Sequence, residues 1–300
     1  MTENAPAASF EAARVATWRQ RLEGLVPAAI EQKSVLVVGC GSVGSFVASE
    51  LVRAGVRNLC LVDPDTIEGS NLSRTIYLHR DLGRPKVHAL RDHLLAIFPD
   101  VAVTTHAATV QDLDEQFQRM CQDTDIVVSA VDQPAASGRV NRVAYSANKP
   151  AVFVGLYRGA KGGEVITTLP GKTACYHCST GGVRKALDGS AEQVVRTQRD
   201  YGTNRLVAEV ALGSDIHFVC AAATKIVLSM LARGSQGPLG DFIERQLQEQ
   251  GNYVMFGMEP NYYLFPSTHS TAVGQYAFQS IWLSTASDQD CGVCGTDADS

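Results

Sequence analysis

The sequence predicts an α/β fold: a Rossmann-like, mostly parallel sheet with helices on both faces, an antiparallel C-terminal extension and a structural zinc site. Three observations predict it. Short apolar runs alternate with amphipathic segments between Ser34 and Gly155, the pattern of strands joined by right-handed helical crossovers. A glycine-rich turn, Gly39-Cys-Gly41-Ser-Val-Gly44, directly follows the first run. Two CxxC pairs, Cys175/Cys178 and Cys291/Cys294, lie far apart in the later half.

The elements follow in order. Residues 1–8 are small and polar and read as a frayed tail. From Phe10 to Ile30, Val15, Trp18, Leu22 and Leu25 recur at helical spacing, with a break or bend expected at Gly24 and Pro27. Ser34–Val38 reads as a buried strand, Val43–Ala54 as the next helix and Asn58–Val62 as a second strand. Lys86–Phe98 is helical, with Val87, Leu90, Leu94 and Ile97 on one face. Val101–Thr105, Ile126–Ser129 and Ala151–Gly155 are further strands, separated by helices near Leu113–Cys121 and Ala135–Asn148. Beyond them, Gly162–Thr168 reads as a strand, Val207–Ala232 as a long apolar helix and Tyr253–Phe265 as extended chain. Residues 179–203 are polar and poorly patterned, as expected of a mobile loop. The division expected is an N-terminal helical arm, 1–32, and one domain, 33–300.

Composition sets the bounds. The 300 residues are 45% apolar and 19% charged, enough for a real core and unlike a disordered chain. A net charge of −5, from 26 basic and 31 acidic residues, disfavours general nucleic-acid binding. No basic start followed by an apolar run opens the chain, and the apolar stretch His217–Ala232 is interrupted by Lys225. A soluble, cytoplasmic protein is therefore expected, with no membrane partner. In such a compartment, paired cysteines bind metal more often than they form disulfides. Four thiolates make a closed tetrahedral site, with His177 a bystander between the first pair, and the metal would pin the C-terminal tail near Pro170. Cys40, Cys60, Cys121 and Cys220 sit in apolar surroundings and read as core.

Gly39, Gly41 and Gly44 permit a tight turn, a close backbone approach to phosphate and close helix packing, and the following helix N-terminus favours an anion. Asp63 ends the second strand, where a carboxylate can bond a ribose. This motif does not distinguish NAD from ATP. The segment Asp63-Pro-Asp65-Thr-Ile-Glu-Gly-Ser-Asn71-Leu-Ser-Arg74-Thr75, followed by Gly83-Arg-Pro-Lys86, suits a triphosphate. Asn71 would orient it, while Arg74 and Lys86 neutralise charge as pyrophosphate leaves. Read singly, each is an ordinary surface residue. Asp132, after the strand Ile126–Ser129, stands where Mg²⁺ would sit; its plain alternative is a helix N-cap before Pro134. The stretch Gly155–Val165 is rich in glycine: it would either admit a partner's extended tail or form a simple hairpin.

Together, GCGSVG, DPDTIEGSNLSRT, GRPK, the Ala-Val-Asp turn and two CxxC pairs resemble the MoeB/ThiF and ubiquitin-activating superfamily of adenylating enzymes, from about Lys33 to Gly295. The resemblance implies a homodimer binding ATP, Mg²⁺ and Zn²⁺. It implies as partner a ubiquitin-like or sulfur-carrier protein whose C-terminal Gly-Gly carboxylate attacks the α-phosphate, with a conjugating or sulfur-transfer protein downstream. It assigns Gly39, Gly41, Gly44, Asn71, Arg74 and Lys86 to the phosphates, Asp63 to the ribose and Asp132 to magnesium, with Asp65 and Thr75 in the same nucleotide segment. It also implies an arginine donated in trans from an N-terminal helix; Arg19 is chosen, with Arg14 second. Thr75 stands where many members carry Gln. Members that form a thioester often place a Cys after the first CxxC pair, and residues 179–219 contain none. Competing expectations are the same chemistry on a peptide or other carboxylate, a zinc-containing NAD-dependent oxidoreductase, and a non-catalytic half of a heterodimer.

Overall fold

The computed structural model describes residues 17–181, 210–260 and 276–295. Eight strands form one sheet in the order β3-β2-β1-β4-β5-β6-β7-β8. They are β1 Ser34–Val38, β2 Asn58–Val62, β3 Ala102–His106, β4 Ile126–Ser129, β5 Ala151–Leu156, β6 Gly162–Thr168, β7 Tyr253–Gly257 and β8 Gln279–Leu283. Pairing is parallel from β3 through β5 and antiparallel from β5 through β8. The helices are α1 Ser42–Arg53, α2 Lys86–Ile97, α3 Asp114–Gln122, α4 Pro134–Ser146, α5 Gly213–Leu231 and α6 Pro238–Arg245.

Side chains alternating along each strand divide the core between two faces. Val35 and Val37 join Leu51 of α1, Leu90 of α2 and Val219 of α5 on one face. Leu36 and Val38 join Phe117 of α3 and Val140 of α4 on the other. The order of β1 and β4 reverses the winding, and the crevice outside their carboxyl ends is where open α/β sheets hold ligands.

Most elements match the sequence reading within one or two residues, and the departures have physical reasons. The N-terminal arm breaks where the sequence places the break: Gly24 adopts φ +75 and Pro27 precedes a short 3-10 turn at Ala28–Gln32. Trp18 rests against Phe98 with ring centroids 5.7 Å apart, so this part of the arm packs on the domain. The long helix starts at Gly213, later than expected. By length and composition it would cross a membrane, but 61% of that window is buried in the fold. Two elements escaped the sequence reading, the amphipathic α6 and the edge strand β8. The segment read as a mobile loop falls, from residue 182, outside the described residues, as does 261–265 of the expected C-terminal extended run.

The glycines of 155–163 serve the fold itself. Gly155 pairs with Glu164 and Leu156 with Gly163 in a β5–β6 hairpin. A Cβ on Gly163 would lie 2.8 Å from the Gly155 carbonyl oxygen and 2.9 Å from Val219. Gly163 lets α5 sit close to β6 in this hairpin.

Candidate functional site

The glycine turn is built by exclusion of side chains. Gly39 has φ +91, and a Cβ there would meet the Ala130 carbonyl oxygen at 2.5 Å. A Cβ on Gly44 would stand 1.8 Å from the Gly39 oxygen. At Gly41, the N-cap of α1, a Cβ would meet nothing within 4 Å, and no side chain caps the helix. Two glycines therefore close the turn against the end of β4, while the third leaves open space before an uncapped helix N-terminus. That arrangement suits an anion, through unsatisfied amides and the helix dipole.

Asp63 is 5% exposed, and its carboxylate accepts from the Cys40 amide at 2.6 Å and the Asp65 amide at 2.8 Å. Burial raises its pKa, although the Lys86 charge and these two donors pull the other way. Asp63 thus braces the glycine turn, a task the motif did not disclose. Lys86 bonds Asp65 at 2.7 Å with its side chain 11% exposed. Burial would lower the Lys86 pKa, but Asp63 and Asp65 outweigh it and hold the ammonium charged. A fixed cation therefore stands at the carboxyl rim of β2.

The segment after β2 is wound by its own polar groups. The Asn71 side-chain oxygen accepts from the Glu68 amide at 2.9 Å, and its carbonyl accepts from the Arg74 and Thr75 amides. The Thr75 hydroxyl donates to the same Asn71 carbonyl at 2.9 Å. Arg74, half-buried, lies where α5 begins: a Cβ on Gly213 would be 3.6 Å from the Arg74 Cα. Tyr77, which the sequence reading missed, donates to the Cys40 carbonyl at 2.6 Å and ties this segment to the glycine turn. Its only sequence signal is an aromatic residue two positions after Thr75, the last of the polar cluster.

Asp132 is exposed beyond β4, next to the Ala130–Val131 backbone that touches Gly39. It is not the helix cap: Gln133 is the N-cap of α4 and makes no side-chain capping bond. Arg19 is held apart from these residues. It pairs with Glu31, beside Gly55 and Arg57 at the amino-terminal edge of the sheet. Within one chain it does not reach the glycine turn, and Arg14 lies outside the described residues. Two cavities, of about 450 Å³ at the arm and about 610 Å³ over β1–β3, lie away from the glycine turn.

The four cysteines of the CxxC pairs converge, with their sulfurs all within 4.8 Å of one another. Cys175 and Cys291 are 3.8 Å apart and Cys178 and Cys294 3.5 Å, too far for disulfides. Sulfurs about 2.3 Å from a tetrahedral ion stand about 3.8 Å apart, so four thiols gathered this closely suit an ion of the size of zinc. Burial would raise the Cys291 pKa, but the Cys294 and Val293 amides, together with the Cys178 and Cys175 thiols, bring it down to about 7. His177 is exposed and outside the cluster. Cys40, Cys121 and Cys220 are fully buried, as expected, whereas Cys60 is half-buried. Burial pushes the Cys220 thiol up to about 12, which makes it a poor nucleophile.

An open helix N-terminus, a fixed ammonium and an acidic residue on one sheet rim suit an anionic ligand on an α/β protein, and the four gathered cysteines could hold a metal ion. The chain belongs to the ThiF family, which matches residues 20–252. The match begins inside the arm and stops short of the second CxxC pair. Ubiquitin-like modifier-activating enzyme 5 of Caenorhabditis elegans is 35% identical over 158 residues, which is 50% of this chain and 38% of that protein. Molybdopterin-synthase adenylyltransferase of Escherichia coli K12 is 32% identical over 151 residues, 50% of this chain and 59% of the relative. The aligned part thus spans well under two thirds of either protein. Among solved structures, E. coli MccB with ATP superposes with a TM-score of 0.63 at 18% identity, covering 89% of this chain and 68% of the other. That likeness bears on the fold.

Proposed function

We propose that this chain is an adenylyltransferase that uses ATP to activate the C-terminal glycine carboxylate of a ubiquitin-like or sulfur-carrier protein. The observation that carries the reading is the meeting of the uncapped α1 turn, Asn71–Arg74, Lys86 and Asp132 around the carboxyl ends of β1, β2 and β4. Family membership and the names of the two relatives support it. A carboxylate oxygen of the partner bonds the α-phosphorus, the α–β bridge breaks and pyrophosphate leaves. Gly39, Gly41 and Gly44 would admit the phosphates to the helix N-terminus. Asn71, Arg74 and Lys86 would offset the charge that gathers on the departing oxygens, with Asp65 and Thr75 shaping that segment. Asp63 would meet the ribose while bracing the turn, and Asp132 would hold Mg²⁺.

Residues 1–32 would act as an arm on an adenylation domain of residues 33–300, in a homodimer. Arg19 would serve the partner subunit's site once released from Glu31. The four thiolates would hold a structural zinc. The reaction proposed ends at the acyl-adenylate, from which a conjugating or sulfur-transfer protein would take the carrier.

Radiolabelled pyrophosphate–ATP exchange tests the reading. Exchange should appear only with a small protein ending in Gly-Gly. Exchange driven by a short peptide instead would move the substrate class. Absence of both exchange and ATP binding, with tight NADH binding in their place, would overturn adenylation.

A further inference from the structure

The first CxxC turn does not stand alone; α4 holds it. Asn141 is 2% exposed in the middle of that helix. Its side-chain oxygen accepts from the Tyr176 amide, inside the CxxC turn, at 2.9 Å. One turn further along, the Tyr145 hydroxyl donates to the Thr173 carbonyl at 3.1 Å. Tyr176 in turn stacks on Phe153 of β5, with centroids 4.4 Å apart. The turn is thus fixed to α4 by two residues at helical spacing and to the sheet by one ring.

We infer that Asn141 is a positioning residue for the metal centre: by accepting from the Tyr176 amide it fixes the turn that carries Cys175 and Cys178, so that their sulfurs meet those of Cys291 and Cys294. The physical reason is order. A turn already bonded to a buried helix side chain has less freedom to lose when its sulfurs close on an ion. Without Asn141, the Tyr176 amide would lose its partner and the turn its hold on α4.

The inference rests on the Cys175/Cys178/Cys291/Cys294 cluster binding metal, and the experiment separates the two. Zinc affinity is measured by competition with a chromogenic chelator, without ATP, in the parent and in Asn141→Asp and Asn141→Ala. Cobalt(II) is then loaded and its thiolate charge-transfer bands recorded. Asn141→Ala should lose about 10–100-fold in zinc affinity with shifted cobalt bands. Asn141→Asp, which keeps an acceptor for the Tyr176 amide, should hold the cobalt bands closer to the parent's than Asn141→Ala does. Parent-like affinity and bands in Asn141→Ala would overturn the positioning role, whatever happens to the melting temperature. A parent that binds no metal would overturn the inference at its base. Neither result depends on whether adenylation occurs.

Discussion

Asp132 and Asp81 are both aspartates near the nucleotide rim, yet their surroundings give them opposite duties. Asp132 is exposed and caps nothing, so its removal leaves no buried group unsatisfied. Asp132→Ala should reduce pyrophosphate exchange at least about 100-fold while melting temperature and metal content stay at parent values. A drop in stability of comparable importance would count against a catalytic duty. Asp81 is 1% exposed and accepts from the Leu78 amide, Arg84 and His93. Burial alone would raise its pKa, but these donors win and hold it below the ordinary aspartate value. A depressed pKa means the ionised form favours the folded state. Its contribution is full above about pH 4, the unfolded value, and fades as the pH falls through the lower folded value. Asp81→Asn should therefore flatten the acid limb of a urea-stability profile between about pH 5 and pH 2. An unchanged limb would show that other carboxylates dominate acid unfolding.

Between elements, glycine acts as a spacer at two different kinds of contact. Gly44 lets the first turn of α1 press on the Gly39 carbonyl, where a phosphate-binding turn needs it. Gly163 does the same for α5 against the hairpin, far from any phosphate. Gly163→Ala should force backbone and Val219 apart and cost about 1–3 kcal/mol, read as a lower urea midpoint. ATP binding should survive, because the glycine turn belongs to another contact. The sequence showed glycines in both places without showing which served a ligand. Only the register, Leu156 opposite Gly163, assigned the second set to a hairpin.

Across the whole molecule the four-cysteine cluster joins distant parts of the chain. Cys291 and Cys294 follow β8, whereas Cys175 and Cys178 follow β6, in a turn that the Tyr176 amide bonds to α4. Withdrawing zinc with a strong chelator should release one ion per chain and lower the melting temperature by about 5 °C or more. Adding zinc back should restore it. A fold indifferent to chelation would assign the cluster a role other than structural.

The parallel half of the sheet was legible because its signals are local: buried β-branched runs, glycine punctuation and amphipathic helices need no knowledge of distant residues. The segment Asp63 through Lys86 could be read as one unit for the same reason, since it is one continuous stretch. The convergence of Cys175, Cys178, Cys291 and Cys294 was anticipated through chemistry, because two CxxC pairs in one chain can share an ion. What sequence could not supply was every bond between residues far apart. That Asp63 braces Cys40 and that Tyr77 clamps the same turn appear only once strands and loops are placed. So does the hold of Asn141 on the metal turn, and the position of Arg19 at the opposite edge of the sheet. Local propensity and periodicity decide which element a residue joins. Which buried polar groups must satisfy one another is decided by the packing that removes them from water.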